Sequence, residues 1–302
     1  MTAQEAIWEI PEPSAIRQAV MGDGTRIVLR RHGNPDGPRL VLTHGNGLAI
    51  DLYYPFWSLL ADDYDLIVYD LRDHGWNEIS PLEEHNMPSF VNDHDRTMEA
   101  IDQHFGDKPK IGVFHSISAL ISLLSPNRGS GFAGRFLFDP PLCKPGRSYQ
   151  EMEEAANRTA TLTRRRAERF STREDFSFLL GFVPLFSRVV PGVLDLMART
   201  TLRRSEDHQG YELRCPKEYE ARIVEYAGVF SVMVDFDTLV SPTKVMGADP
   251  TLPFSYLPTL DLSDILTVDY DFLPEATHFL QLEEPEECAA AVREFVDDVL
   301  EG

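Results

Sequence analysis

Short unbroken apolar runs alternate with longer stretches of helical period through the first half of the chain. "RLVLT" (39–43), "YDLIVYD" (64–70), "KIGVF" (110–114) and "RFLFD" (135–139) are runs of leucine, aromatic and β-branched residues with no polar alternation. Strands covered on both faces have that pattern. Between them, "SFVNDHDRTMEAIDQHF" (89–105) sets Phe90, Met98, Ile101 and Phe105 near helical spacing. "DLYYPFWSLLAD" reads as a helix with an aromatic face. At the start, "IRQAVM" and "RIVLRR" flank the turn signal "GDGT" and predict a hairpin.

Strands alternating with helices predict an α/β fold, with a mostly parallel central sheet and helices on both faces. The alternation stops after residue 141. Residues 142–238 read as helical, rich in Arg and Glu, and strand patterns return at "TKVMG" (243–247) and "ILTVDYD" (265–271). The closing "PEECAAAVREFVDDVL" carries an apolar stripe of Ala290, Val292, Phe295, Val296 and Val299. The expected organisation is a core of residues 1–141 and 239–302, interrupted by a helical cap over residues 142–238. Such a cap sits over the carboxyl ends of the strands, where open α/β sheets bind ligands.

Charge narrows the partners. The chain carries 28 basic and 49 acidic residues, a net charge of −21, which repels nucleic-acid phosphates and anionic lipid heads. The partner expected is therefore a small molecule, with neither nucleic acid nor membrane. Nothing in the pattern points to a particular oligomeric state. Cys143, Cys215 and Cys288 are widely spaced and form no C-x-x-C pair, which argues against disulfides and structural zinc. No secretory leader pattern opens the chain, and its longest weakly charged run is broken by Gly181, Pro184, Arg188, Pro191 and Gly192. The expectation is a soluble, cytoplasmic protein. No H-E-x-x-H, G-x-G-x-x-G or phosphate-binding loop occurs, so no metal and no cofactor are expected.

The candidate chemistry begins with "VFHSISA" (113–119), where a buried strand runs through His-Ser into a helix. A serine there can be a helix cap, its hydroxyl accepting from an orphan N–H. Two other segments favour a reactive serine. "LVLTHGNG" (40–47) leads a strand into His-Gly, where glycines let main-chain N–H groups face an oxyanion. "EATHFLQLEEPEE" brings His278 in after the last strand. Serine, a downstream Asp and His thus follow strands in that chain order, the order of nucleophile-elbow hydrolases.

With "YDLRDHGWN" (69–77) and "PTKVMGADP" (242–250), these segments make the chain resemble the α/β-hydrolase superfamily across nearly its whole length, in its lid-bearing serine hydrolase form. The resemblance implies Ser116 as nucleophile, His278 as general base and Asp249 as the acid orienting the imidazole. Asp139 is the alternative acid, with Asp235 and Asp237 more distant rivals. Backbone N–H groups of Asn46 and Ile117 would form the oxyanion hole. The implied activity is cleavage of a small or medium hydrophobic ester or related acyl compound. Two rivals stand beside it: hydrolysis of a diketone C–C bond by the same residues, and a non-catalytic small-molecule sensor.

The chain departs from the superfamily's G-x-S-x-G elbow, since Phe114 and Ser118 stand where glycines are usual. It also carries Asp73 where glycine is usual in "DLRDHG". Asp70, Arg72 and His74 are expected to form that loop. The arginine-rich "TRRRAERF" (163–170) is expected to be a solvated face balanced by Glu151, Glu153, Glu154 and Glu168. Tyr53, Tyr54, Phe56 and Trp57, with Phe176, Phe178, Phe182 and Phe186, are candidates to pack the core or line an apolar pocket.

Overall fold

The computed structural model describes residues 8–143, 146–207, 209–252 and 268–301. In chain order, β1 (Ala15–Val20) and β2 (Arg26–Gly33) form the expected hairpin, followed by β3 (Arg39–Leu42), α1 (Tyr54–Trp57) and β4 (Asp65–Tyr69). Then come α2 (Met87–Phe105), β5 (Lys110–His115), α3 (Ile117–Leu124) and β6 (Gly134–Phe138). A long segment carries α4 (Arg147–Arg165), β7 (Arg169–Phe170), α5 (Arg173–Leu180), α6 (Val193–Thr201), β8 (Leu202–Arg204), β9 (Tyr211–Leu213) and α7 (Lys217–Phe230). The chain closes with β10 (Thr243–Gly247), β11 (Asp269–Phe272), α8 (Leu280–Glu283) and α9 (Pro285–Glu301). Of the expected strand at 265–271, residues 265–267 lie outside the described residues.

The main sheet has the order β1-β2-β4-β3-β5-β6-β10-β11. It is parallel from β4 to β11, with β1 and β2 added antiparallel at one edge. Each central strand divides its apolar residues between two faces. Val41, Ile67, Phe114, Leu137 and Val245 pack on one side with residues of α2 and α3. Leu40, Leu42, Leu66, Val68, Val113, Phe136 and Phe138 pack on the other with Val292, Phe295 and Val296 of α9. This period-2 division follows from the pleat and explains why the strands read as continuous apolar runs. Each such side chain contributes about 1.5–3 kcal/mol when fully buried.

β3 has β4 on one side and β5 on the other, both parallel to it. The winding therefore reverses at β3, and the loops leaving β3 and β5 diverge to leave a crevice at their carboxyl ends. Ser116 stands at the end of β5 and residues 44–48 at the end of β3.

Two local expectations change. Residues 50–60 are not one helix; they form a 3-10 turn, the short α1 and a second 3-10 turn. Pro55 has no N–H to carry a continuous helical ladder through the run, and the Trp57 indole N–H donates to the Ile50 carbonyl. Between β6 and β10 the chain is not wholly helical, because β7, β9 and β8 form a small antiparallel sheet. Strands of two or three residues are too short to leave a period in the sequence. The arginine face is balanced, but by other partners than expected. Arg164 pairs with Glu218 and Glu225, Arg166 with Glu220, and Arg169 with Asp207 and Glu212. These ties bind α4 and β7 to α7 and β9.

Candidate active site

Ser116 occupies the N-cap position of α3, yet its side chain caps nothing. Its backbone is held at φ 55, ψ −120, a conformation that costs a non-glycine residue of order 1–3 kcal/mol. The Ser116 N–H donates to the Phe138 carbonyl at 2.8 Å, which pins the turn across the top of β6. The Ser116 Oγ instead lies 3.0 Å from His278 Nε2. On the far side of the ring, His278 Nδ1 is 2.6 Å from Asp139 Oδ2. Asp139 also has a positive φ, 38, and its Oδ1 accepts the Ala248 N–H at 3.1 Å. All three residues are buried.

Asp249, the sequence's first choice for the acid, is not on the imidazole. Its Oδ1 accepts from the Thr251 N–H and hydroxyl at 2.8 and 2.6 Å, and its Oδ2 accepts from the Glu275 N–H at 2.9 Å. Those hydrogen bonds from Thr251 and Glu275 hold its carboxyl below the usual carboxylate range. The Asp249 N–H donates to the Ala276 carbonyl. Asp249 therefore anchors the loop that carries His278, while Asp139, from the end of β6, meets the ring. Glu283 holds the same loop from the other side, accepting from the Thr277 N–H at 2.6 Å and from its hydroxyl. The two rivals Asp235 and Asp237 belong to the 3-10 turn at 236–238 and its N-cap.

The substitutions at the elbow have visible accommodations. Phe114 points away from the serine into the helical layer, edge-on to His94 and Phe132. A Cβ on Gly112 would collide with the Phe114 ring, so the strand yields the space that the bulky residue needs. The Ser118 hydroxyl accepts from the His115 N–H at 3.0 Å and donates to the His115 carbonyl at 2.8 Å, stitching the turn.

A buried network that the sequence did not announce lies beneath this arrangement. His115 Nε2–H donates to the His278 carbonyl at 2.8 Å. A carbonyl only accepts, so His115 Nδ1 is the bare nitrogen, and the Tyr53 hydroxyl donates to it at 2.6 Å. The same hydroxyl accepts the Gly45 N–H at 3.2 Å. Burial, reinforced by the neighbouring His278, holds His115 well below the ordinary histidine range, in the neutral form this wiring requires. Burial likewise pushes the Tyr53 phenol up. The only signal in the sequence was the histidine next to the serine.

Residues 44–48 are fixed from behind. His44 Nδ1–H donates to the Gly45 carbonyl at 2.7 Å and its Nε2 accepts the Leu71 N–H at 3.0 Å. His74 Nε2 accepts the Gly47 N–H at 3.0 Å. Burial lowers His44 to about 3. Asp70 accepts from Arg30, Ile50 and Trp76, and Arg72 forks onto Asp93, so these residues build the loop as expected. Asp73 takes φ 64 and receives the His85 Nδ1–H at 2.5 Å.

Asn46 and Ile117 both border the cavity that opens over Ser116. Ile117 is the first residue of α3, so its N–H is one of the four that a helix leaves without an internal partner. The cavity measures about 610 Å³. Core residues Leu48, His278 and Phe279 line one side; Phe170, Phe176, Phe186, Met197 and Val224 from the intervening segment line the other. Of the candidate aromatics, Phe176 and Phe186 thus face the cavity. Tyr53, Phe56 and Trp57 are core, while Phe178 and Phe182 are exposed. Among the described residues, no group of three or more His, Cys, Asp or Glu is placed to hold a metal ion, and no helix is long and apolar enough to cross a membrane.

Sheet order, the strained serine and the histidine from the last loop define an α/β-hydrolase architecture. Residues 40–291 match the model of the alpha/beta hydrolase family, and the chain belongs to that family. Its fold is shared with E-2-(acetamidomethylene)succinate hydrolase, at 15% identity and TM-score 0.74 over 94% of this chain and 99% of that one. It is shared also with the thioesterase domain of the curacin biosynthetic pathway, at 16% identity and TM-score 0.70 over 93% and 100%. A thermophilic esterase from Thermogutta terrifontis, with malate bound, gives 18% and 0.67 over 95% and 99%. Among curated sequences, 74 residues are 36% identical to the "Probable oxidoreductase EphD" of Mycobacterium bovis and of Mycobacterium tuberculosis, 24% of this chain. The match spans 12% of the length of those relatives.

Proposed function

We propose that the protein is a serine hydrolase that cleaves a small or medium hydrophobic ester or related acyl compound through an acyl-enzyme. One observation carries this reading: the Ser116 hydroxyl, held at a strained turn, lies within hydrogen-bond reach of a buried imidazole whose other nitrogen meets a carboxylate. Ser116 Oγ attacks the acyl carbon while its proton passes to His278 Nε2. Asp139 holds the ring in the tautomer that leaves Nε2 free to accept and stabilises the imidazolium that forms. The tetrahedral oxygen takes hydrogen bonds from the N–H groups of Asn46 and Ile117, each worth on the order of 3 kcal/mol. The carbon–oxygen bond to the leaving group then breaks, and His278 returns the proton to the departing alcohol. Water attacks the acyl-serine, gives its proton to His278, and releases the acid as Ser116 regains its hydrogen.

Residues 142–238 act as the cap in this reading, since they supply most of the apolar wall above the serine. That wall suits an acyl or alkyl group and supports the hydrophobic substrate class. Phe114 is the elbow departure that would suit a non-catalytic sensor, and its packing against His94 and Phe132 supports the hydrolase reading instead. The test combines a chromogenic short-chain ester with a fluorophosphonate probe. Turnover and labelling at Ser116, both lost in Ser116→Ala, are the expected result. A folded wild-type protein with neither would sink the proposal.

A further inference from the structure

The cavity has one charged corner, and it abuts the loop after β3. Glu220 of α7 lines the cavity beside Asn46 and Gly47. Its backbone carbonyl accepts from Asn46 Nδ2 at 2.8 Å. Its carboxylate packs directly over Gly47, which has φ 73 and whose absent Cβ leaves the room. Arg166, just past the C-terminus of α4, also lines the cavity and forks onto that carboxylate. Nη1 donates to Oε1 at 2.9 Å, and Nη2 pairs with Oε2. A lone carboxylate here would repel both a developing oxyanion and any anionic substrate. A lone guanidinium would instead offer a fork for a substrate carboxylate. The bidentate pair presents neither. Among the described residues that line the cavity, Arg166 is the one Arg or Lys, and Thr159, Thr163 and Thr201 are the other polar members from the intervening segment.

We infer that the Arg166–Glu220 pair is a charge filter that restricts the acyl pocket to uncharged, apolar acyl groups. The inference rests on the hydrolase reading above and deepens it by assigning the substrate's charge. It is tested by comparing kcat/KM for a neutral ester, p-nitrophenyl butyrate, with that for an anionic one, mono-p-nitrophenyl glutarate. Wild type favours the neutral ester. Glu220→Gln keeps the side-chain shape and frees Arg166, and it raises the anionic-to-neutral ratio about tenfold, the value of one hydrogen bond to a charged group. Arg166→Gln removes a side chain that is 40% exposed, so it opens no core cavity, and it lowers the ratio. The double variant returns the ratio toward wild type. Ratios within about twofold of wild type in both folded single variants, verified by thermal melting, overturn the filter alone. A wild-type protein that cleaves neither ester overturns the hydrolase reading, and the filter with it.

Discussion

Replacing Asp139 by Asn separates the two carboxylates that compete for the role of acid. The geometry dictates how the amide sits. Asp139 Oδ1 accepts the Ala248 N–H at 3.1 Å, so the carbonyl of an introduced amide takes that place and its NH₂ faces His278 Nδ1. Two donors cannot face each other, so Nδ1 becomes the acceptor and Nε2 carries the proton toward Ser116. The ring is then in the tautomer that cannot accept the serine's proton. Turning the amide over would leave the Ala248 N–H against an NH₂, at a cost of about 1–3 kcal/mol, and would still lack the charge that stabilises the imidazolium. The combined loss is about 10³–10⁴-fold in kcat, or roughly 4–5 kcal/mol of barrier, with little change in fold. Asp249→Asn sets an amide NH₂ against a backbone or threonine donor in the loop that carries His278. It lowers the melting temperature and costs less than about tenfold in kcat. Steady-state ester hydrolysis and thermal melts on both variants read the difference. Equal losses of kcat, or an Asp139→Asn enzyme retaining a tenth of its activity, would refute the assignment.

Tyr53→Phe removes the donor to His115 Nδ1 and the acceptor of the Gly45 N–H. It lowers kcat about tenfold, within what two buried groups left unsatisfied at about 1–3 kcal/mol each allow, with the serine still labelled by fluorophosphonate; unchanged kcat would show that the network positions nothing. Gly112→Ala drives a methyl into the Phe114 ring and destabilises the protein by about 1–3 kcal/mol, read by urea unfolding and relieved in the double variant with Phe114→Leu. Acid weakens the fold. His44 and His94 are lowered by burial to about 3 and His32 to about 4, while an unfolded histidine titrates near 6.5. The unfolded chain therefore binds more protons below about pH 6.5, and stability falls as pH drops from there toward the folded values, by up to about 1.4 kcal/mol per pH unit for each such histidine. Urea midpoints at pH 7 and pH 5 test this, and His94→Gln should flatten the slope.

The sheet was legible because its strands are buried on both faces. Leu40 to Leu42, Leu66 to Val68 and Phe136 to Phe138 each send alternate residues to opposite helical layers, so every position must be apolar. Such runs end where the chain surfaces, and β3, β5, β6 and β10 fall within a residue or so of their sequence boundaries. Elements held by partners distant in sequence were not legible. β7 spans Arg169 and Phe170 alone, and it exists because β9 pairs with it across some forty residues of chain. The same holds for the ion pairs. Neighbouring glutamates on α4 seemed the natural balance for its arginines, but Arg164 and Arg166 reach to α7 instead.

The choice of acid shows where chain order stops being informative. Asp139 and Asp249 each follow a strand, and β6 and β10 are adjacent and parallel with Phe138 opposite Met246. Their two carboxylates therefore leave the sheet side by side at the same edge of the crevice, and both precede His278. What divides them is how the loop after β11 returns past the two carboxylates. The His278 loop folds back so that its Glu275 N–H donates to the Asp249 carboxylate and its Ala276 carbonyl takes the Asp249 N–H, and Thr251 adds two more neutral donors to that carboxylate. The imidazole, three residues further along, then passes Asp249 and reaches Asp139, whose φ of 38 turns it inward. A carboxylate whose oxygens already accept three hydrogen bonds from Thr251 and Glu275 has little to gain from a fourth donor. Asp139, which takes the Ala248 N–H on Oδ1, presents Oδ2 to the ring. Transplanting the acid tests that logic directly: Asp139→Asn combined with Thr251→Val removes one of the two donors on Asp249 Oδ1 and leaves the backbone N–H, and any recovery of activity over Asp139→Asn alone would mean that the His278 loop is pliant enough to use either carboxylate.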